Sequence, residues 1–316
     1  MATTEPTIGV PRERLRFRSL SGIYAREWGV KSLLVGCSAL SIFTTLAIVA
    51  VLFFEASRFF QADEVTLSEF LTGTVWNPLI GAERHFGVWA LISGTLLVSL
   101  IAMLLALPLG LITAVYLSEY AHPRVRSVLK PTLEILAGIP TVVYGFFALT
   151  VITPALQFFH DGFNTYNVTA AGIAVGILCL PIVSSLVEDA LQAVPRSLRE
   201  GAYGLGATKF EVSTKVVVPA ALSGIISAFL LAVSRTVGET MIVALAAGSR
   251  PHLTFDPRDD TQTMTGWMVQ MALGDVSNFD LAYLSMYAVA AVLFVITLSL
   301  TFSGNIVRKR FREEYQ

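Results

Sequence analysis

The chain has 316 residues, 54% of them hydrophobic and only 14% charged, where an average soluble domain carries roughly 25% charged residues. With a mean hydropathy of +0.67, this excludes a water-soluble globular protein and leaves an integral membrane protein. The formal net charge of −1 says nothing about partners; the distribution of charge does.

A membrane-crossing helix needs about 20 apolar residues at ~1.5 Å rise each. Six runs qualify: 33–54, 88–117, 132–156, 168–187, 216–248 and 281–303. The second and fifth exceed one crossing and are expected to tilt or extend beyond the bilayer. The basic tail 1–32 precedes the first run, which is too long for a signal-peptide core and reads as an uncleaved anchor. The first span and its loop occupy 33–87. Loop 55–87 is acidic, with Trp76 and Trp89 at or near its end, residue types that mark membrane interfaces. Spans two to six form a core of 88–303, followed by the tail 304–316.

Prolines punctuate the spans at Pro108, Pro140, Pro181 and Pro219, each removing a helical hydrogen bond and permitting a kink. Cys37 and Cys179 fall inside spans and read as small buried residues. His85, His122, His160 and His252 are scattered over loops, so no metal site or disulfide is expected.

Loop 157–167 is short. Loop 249–280 contains Arg250, His252, Asp256, Pro257, Asp259 and Asp260. Its apolar part around Met264 and Trp267 has two readings, an amphipathic segment at the outer interface or an ordered helix packed on the rim.

Basic residues crowd one side: Arg12, Arg14, Arg16, Arg18, Arg26 and Lys31; Arg124, Arg126 and Lys130; Arg196, Arg199, Lys209 and Lys215; Arg308, Lys309, Arg310 and Arg312. The other side holds Arg58, Arg84, Arg250 and Arg258. The positive-inside rule then makes both termini cytoplasmic, which agrees with six crossings.

Arg235 and Glu239 interrupt the fifth run. An ionised side chain at the bilayer centre costs at least ~2.5–3.5 kcal/mol. This pair therefore faces protein, water or an ion. A spacing of four places both on one face of a continuous helix. Two readings stay open, an ion pair locking two helices or a polar path.

The polar loop 188–219 predicts a helix, a sharp turn and a second helix. Pro195 suits the first turn, and Arg196, Leu198, Arg199, Ala202 and Leu205 follow. Gly204 or Gly206 closes the helix in the left-handed conformation. Thr208 and Glu211 form a capping box. The result is either a short helix presented crosswise to the cytoplasm or an ordinary interfacial loop. The chain has no G-x-x-x-x-G-K-[ST] phosphate loop, so it is not itself an ATPase. It shows no nucleophile–base or metal constellation that would make it an enzyme.

Glu200-Gly201-Ala202, Gly206 after three residues, and Val216-Val217-Val218-Pro219 after nine more resemble the EAA signature of ABC-importer permeases. Gly201, Val216 and Val218 replace Ala, Ile and Leu. Ser234-Arg235-Thr236-Val237-Gly238-Glu239-Thr240 is similar to a segment of the phosphate-specific (Pst) permeases. So are 136–145 and 188–195, and 241–248 resembles the C-type subunit.

The resemblance implies an all-α, six-span type I importer permease of the bacterial inner membrane. It implies a docking loop for a separate ATPase, comprising Arg199, Glu200, Gly201, Ala202, Gly204, Gly206, Thr208, Glu211 and Pro219. Arg235 and Glu239 are placed on the translocation path. The implied partners are an A-type Pst permease, two ATPase copies, an extracytoplasmic phosphate-binding protein, phosphate and lipid, with no nucleic acid. The chain binds no cofactor of its own, and Mg-ATP sits on the ATPase. Arg235 offers a planar donor fork for phosphate oxygens. Glu239 either pairs with Arg235 when the path is empty, accepts a hydrogen bond from protonated substrate, or is itself protonated. The rival readings are a permease for sulfate, molybdate or phosphonate, and an ion-coupled secondary transporter using the pair as a relay.

Overall fold

A computed structural model describes residues 20–79, 83–277 and 280–310, with side chains within 26–306. Arg12, Arg14, Arg16, Arg18 and Arg312 lie outside the described residues, as do the side chains of Arg308, Lys309 and Arg310. The chain divides into two units, one ending at Val51 and the other starting at Leu52.

The first unit holds most of α1 (Leu20–Phe60). Its apolar residues from Val30 to Ile48 are largely exposed, as suits side chains that meet lipid. Cys37 is exposed with them, contrary to the expectation of a buried thiol; a single apolar helix has no interior of its own in which to place it.

The second unit begins with the end of α1 and then α2 (Leu67–Thr72), capped by the Thr66 hydroxyl. A two-stranded antiparallel hairpin, β1 (Trp76–Asn77) and β2 (His85–Phe86), follows. Phe59, Phe70, Trp76 and Phe86 meet edge to face, and Trp76 also stacks edge-on against Trp267 at 5.3 Å. Trp76 is therefore a core residue and no interface marker, whereas Trp89 is exposed. Aromatic edges prefer aromatic faces, and this box supplies them.

α3 (Trp89–Val115) runs on through a π turn at Tyr116–Tyr120. α4 (Pro123–Ala137) has no buried residue. α5 (Thr141–Phe147), a π turn at Ala148–Ile152 and α6 (Thr153–Phe159) together make one apolar span, Thr141–Phe159. The third span thus starts nine residues later than the run beginning at 132 suggests, because the helix stops at Gly138 and Pro140 has no N–H with which to continue it. α7 (Val168–Gln192) is capped by Asn167, whose side chain accepts from the Ala170 amide at 2.7 Å.

α8 (Arg196–Gly204), α9 (Lys209–Glu211), a π turn at Val212–Val217 and α10 (Val218–Ala220) lead into α11 (Leu222–Val237). The stretch Lys209–Ala220 meets α11 at a 70° bend. α12 (Met241–Ala246), α13 (Met264–Leu273) and α14 (Leu281–Arg310) complete the chain. Five described helices are long and apolar enough to cross a membrane, six with the bent pair. The run 216–248 is thus broken at Ala221 and again at 238–240. Each of the three π turns ends two or three residues before a proline, at Pro123, Pro154 and Pro219. A proline ring clashes with the carbonyl one turn back, and widening that turn relieves the clash at Pro154 and Pro219; Pro123 instead opens α4 after the extended Ala121 and His122.

α7 is the most buried span and lies along α3. Glycines permit the approach. A Cβ on Gly110 would sit 2.5 Å from Val183 Cγ1, one on Gly172 would sit 2.7 Å from Ile101, and one on Gly176 would sit 3.0 Å from the Ala102 carbonyl. α13 is packed into the protein through Met264, Trp267 and Met271, so the packed reading of this segment holds.

Candidate functional site

Arg235 occupies the last turn of α11, which ends at Val237, with Gly238 as its cap. Glu239 lies in the break before α12. The two are not stacked on one continuous helix face, contrary to expectation. The turn still brings Arg235 Nη2 within 3.8 Å of Glu239 Oε2, with the arginine side chain 46% exposed and the glutamate 2%. At that separation the contact is electrostatic and not a hydrogen bond, so the guanidinium fork keeps its donors for another acceptor. The break is held by polar groups. The Glu239 amide donates to the Thr236 carbonyl at 3.1 Å. The Thr240 hydroxyl donates to the Gly238 carbonyl at 3.2 Å, and the Thr265 hydroxyl donates to the Glu239 carbonyl at 2.6 Å.

The second site is the loop through α8. Pro195 sits immediately before the helix as its N-cap, one position earlier than expected. Arg199 points inward. It donates to Glu119 at 2.9 Å and to the Val194 and Leu191 carbonyls at 2.6 and 2.8 Å. It therefore rivets α8 to the ends of α3 and α7 and is no exposed contact. Gly206 adopts φ +84° and closes the turn, while Gly204 stays in the helix. Thr208 and Glu211 form the full capping box. Added Cβ atoms at Gly201, Gly204 and Gly206 would meet open space. Glu200 is exposed, and so are Tyr203, Phe210 and Leu205, the last 91% exposed. Ala202 is partly covered, and Pro219 opens the turn before the bend. Apolar side chains displayed on a polar loop call for a covering surface.

Sequence reasoning missed a third feature, Glu188 of α7. Its carboxylate is wholly buried, 2.7 Å from Arg126 Nη2 and 3.3 Å from Lys130 Nζ, and it accepts from Gln192 at 2.8 Å. Lys130 also donates to Asp189 at 3.2 Å. Burial alone pulls the Lys130 ammonium down. Hydrogen bonds to Asp189 and Glu188, and their charges, outweigh it and hold the group above its ordinary value. The spacing of Arg126 and Lys130, one turn apart on α4, was the visible signal; its partner was not. Among the described residues no cluster of metal-ligating side chains occurs.

Residues 106–313 match the family described as binding-protein-dependent transport system inner membrane component. The probable ABC transporter permease protein YqgH of Bacillus subtilis (strain 168) is 32% identical over 267 residues, 84% of this chain and 86% of the relative. The phosphate transport system permease protein PstC of Mesorhizobium japonicum is 34% identical over 282 residues, 82% of this chain and 83% of the relative. Among solved structures, a chain of a bacterial ABC transporter involved in alginate import aligns with a TM-score of 0.65 at 13% identity, over 94% of this chain and 100% of that one. That last likeness concerns the fold alone. On this match and these relatives, the chain belongs to the family of binding-protein-dependent transport system inner membrane components, as a multi-pass ABC-importer permease of the inner membrane and not an enzyme.

Proposed function

We propose that this permease forms half of the translocation path of an ATP-driven importer of inorganic phosphate. The observation that carries the reading is the half-exposed Arg235 fork beside the buried Glu239 carboxylate, at a helix break inside an otherwise apolar segment. Phosphate at neutral pH carries one to two negative charges and does not cross hydrocarbon unaided. A guanidinium offers permanent charge and paired donors for its oxygens. Glu239 neutralises the arginine while no substrate is bound and is displaced to the second role of accepting a proton-bearing oxygen when phosphate arrives. The names of several relatives, phosphate transport system permease PstC among them, support this substrate over other oxyanions.

The partners in this reading are a second, A-type permease, two ATPase copies that bind Mg-ATP, and an extracytoplasmic phosphate-binding protein. The termini and the loop through α8 face the cytoplasm. Exposed Leu205, Phe210 and Tyr203 enter a cleft of the ATPase beside Glu200, with Gly204 and Gly206 allowing close approach. Arg199 transmits the movement to α3 through Glu119.

The test is uptake by the reconstituted four-component complex in liposomes, with sulfate, molybdate and phosphonate as competitors. Phosphate uptake that requires ATP, resists those competitors and disappears with Arg235→Ala while the subunits still co-purify is the expected result. Normal uptake by the Arg235→Ala complex removes Arg235 from the path.

A further inference from the structure

Local bonds shape the break at 238–240, the Glu239 amide to the Thr236 carbonyl and the Thr240 hydroxyl to the Gly238 carbonyl, and a further bond ties it to the rest of the molecule. That bond comes from further along the chain. The Glu239 carbonyl is buried and receives the Thr265 hydroxyl at 2.6 Å.

Thr265 has one hydroxyl hydrogen, and the Glu239 carbonyl takes it. In the 3.3 Å contact between the Thr263 and Thr265 hydroxyls, Thr263 is therefore the donor. Thr263 in turn accepts from the Gly266 amide at 3.0 Å. The hydrogens thus run in one direction, from Gly266 through Thr263 and Thr265 to Glu239. Buried chains of this kind strengthen one another.

The donor end is itself held. The Met264 amide donates to Thr95 of α3 at 3.0 Å, and the Thr261 amide donates to the Ala247 carbonyl at 2.9 Å. Trp267 donates to Ser285 of α14 at 3.1 Å and packs on Trp76. The segment 261–267 is a well-held bracket, and it reaches the break through the Thr265 hydroxyl.

We propose that Thr265 is a positioning residue for transport. Its hydroxyl fixes the backbone of Glu239 and thereby the 3.8 Å spacing to Arg235, coupling the charged pair to the loop 249–260 that leads into the bracket. This rests on the reading of Arg235 and Glu239 as the path.

The test uses the assembled complex carrying Cys37→Ser. The thiol introduced by Glu239→Cys is labelled with a charged thiol reagent, and the labelling of a complex without that substitution is subtracted. Thr265→Val keeps the shape and removes the hydroxyl. Because a lost buried hydrogen bond of about 1.4 kcal/mol corresponds to tenfold in local opening, labelling is expected to accelerate about tenfold, with Thr265→Ser within about twofold of the parent. Equal rates for Thr265→Val and the parent, or equal acceleration by Thr265→Ser, overturn the proposal.

In complexes with Glu239 intact, Thr265→Val is expected to lower the saturating rate of phosphate uptake about tenfold with the half-saturating concentration within about twofold, and Thr265→Ser to restore it. Unchanged uptake by Thr265→Val also overturns it. A parent complex that carries no phosphate at all defeats the importer reading, while the labelling rates still decide whether the Thr265 hydroxyl fixes the backbone of Glu239.

Discussion

Gly206 and Gly201 lie five residues apart in one loop and make opposite demands on a side chain. Gly206 has a left-handed φ of +84° and open space around it, so Gly206→Ala meets no neighbour yet costs about 1–2 kcal/mol of conformational strain. Relaxation of that strain would unwind the turn that presents Leu205 and Phe210. The expected outcome is an intact permease that loses co-purification with the ATPase and transport-coupled hydrolysis. Undiminished binding and hydrolysis would refute the docking role. Gly201 sits inside α8 with nothing within reach of an added Cβ. Gly201→Ala is expected to favour the helix by up to about 1 kcal/mol and to leave uptake at the parent rate, which the same assays check.

Among the elements, α4 is a fifteen-residue helix with no buried residue, tied to α7 through Arg126, Lys130 and Glu188. Replacing both cations by alanine strands a wholly buried carboxylate, which is expected to cost about 3–5 kcal/mol and to lower the unfolding temperature measured in detergent. Restoring one cation should recover part of the loss. The pH dependence has a definite sign. Lys130 is held above its ordinary value of 10.5, so the folded state binds its proton more tightly than the unfolded state. Its contribution is complete below that value and fades only as pH climbs past the raised folded value. The same element shows what was legible beforehand. Hydropathy located the spans because each carries its apolar residues locally, and Thr208 with Glu211 wrote the capping box within four residues. Glu188 was opaque because its cations lie on another helix. The break beside Glu239 was opaque because the hydroxyl that holds it is 26 residues away. Trp76 was misplaced because its partner Trp267 comes much later in the chain. Spacing of four between Arg235 and Glu239 brought the pair together correctly, but through a turn and not along a helix.

At the scale of the molecule, the three ties just described have a common arrangement. α8 is riveted to α3 through Arg199 and Glu119, α4 to α7 through Glu188, and the 238–240 break to α13 through Thr265. Polar contacts thus attach α8 and α4 to a common centre, and the break to α13. That centre is the α3–α7 seam, where Gly110, Gly172 and Gly176 leave no room for even a methyl group. A seam this close has no slack in which to slide, so the two helices are expected to move as a common spine, with α8 carried along through Arg199 and with α4 and α12 free to shift against it. Deuterium exchange read by mass spectrometry should reveal the division. In the assembled complex, amides of α3 and α7 around those glycines are expected to exchange slowest and to be unchanged by added ATP, while those of α4, the α8 loop and α12 exchange faster and respond to it.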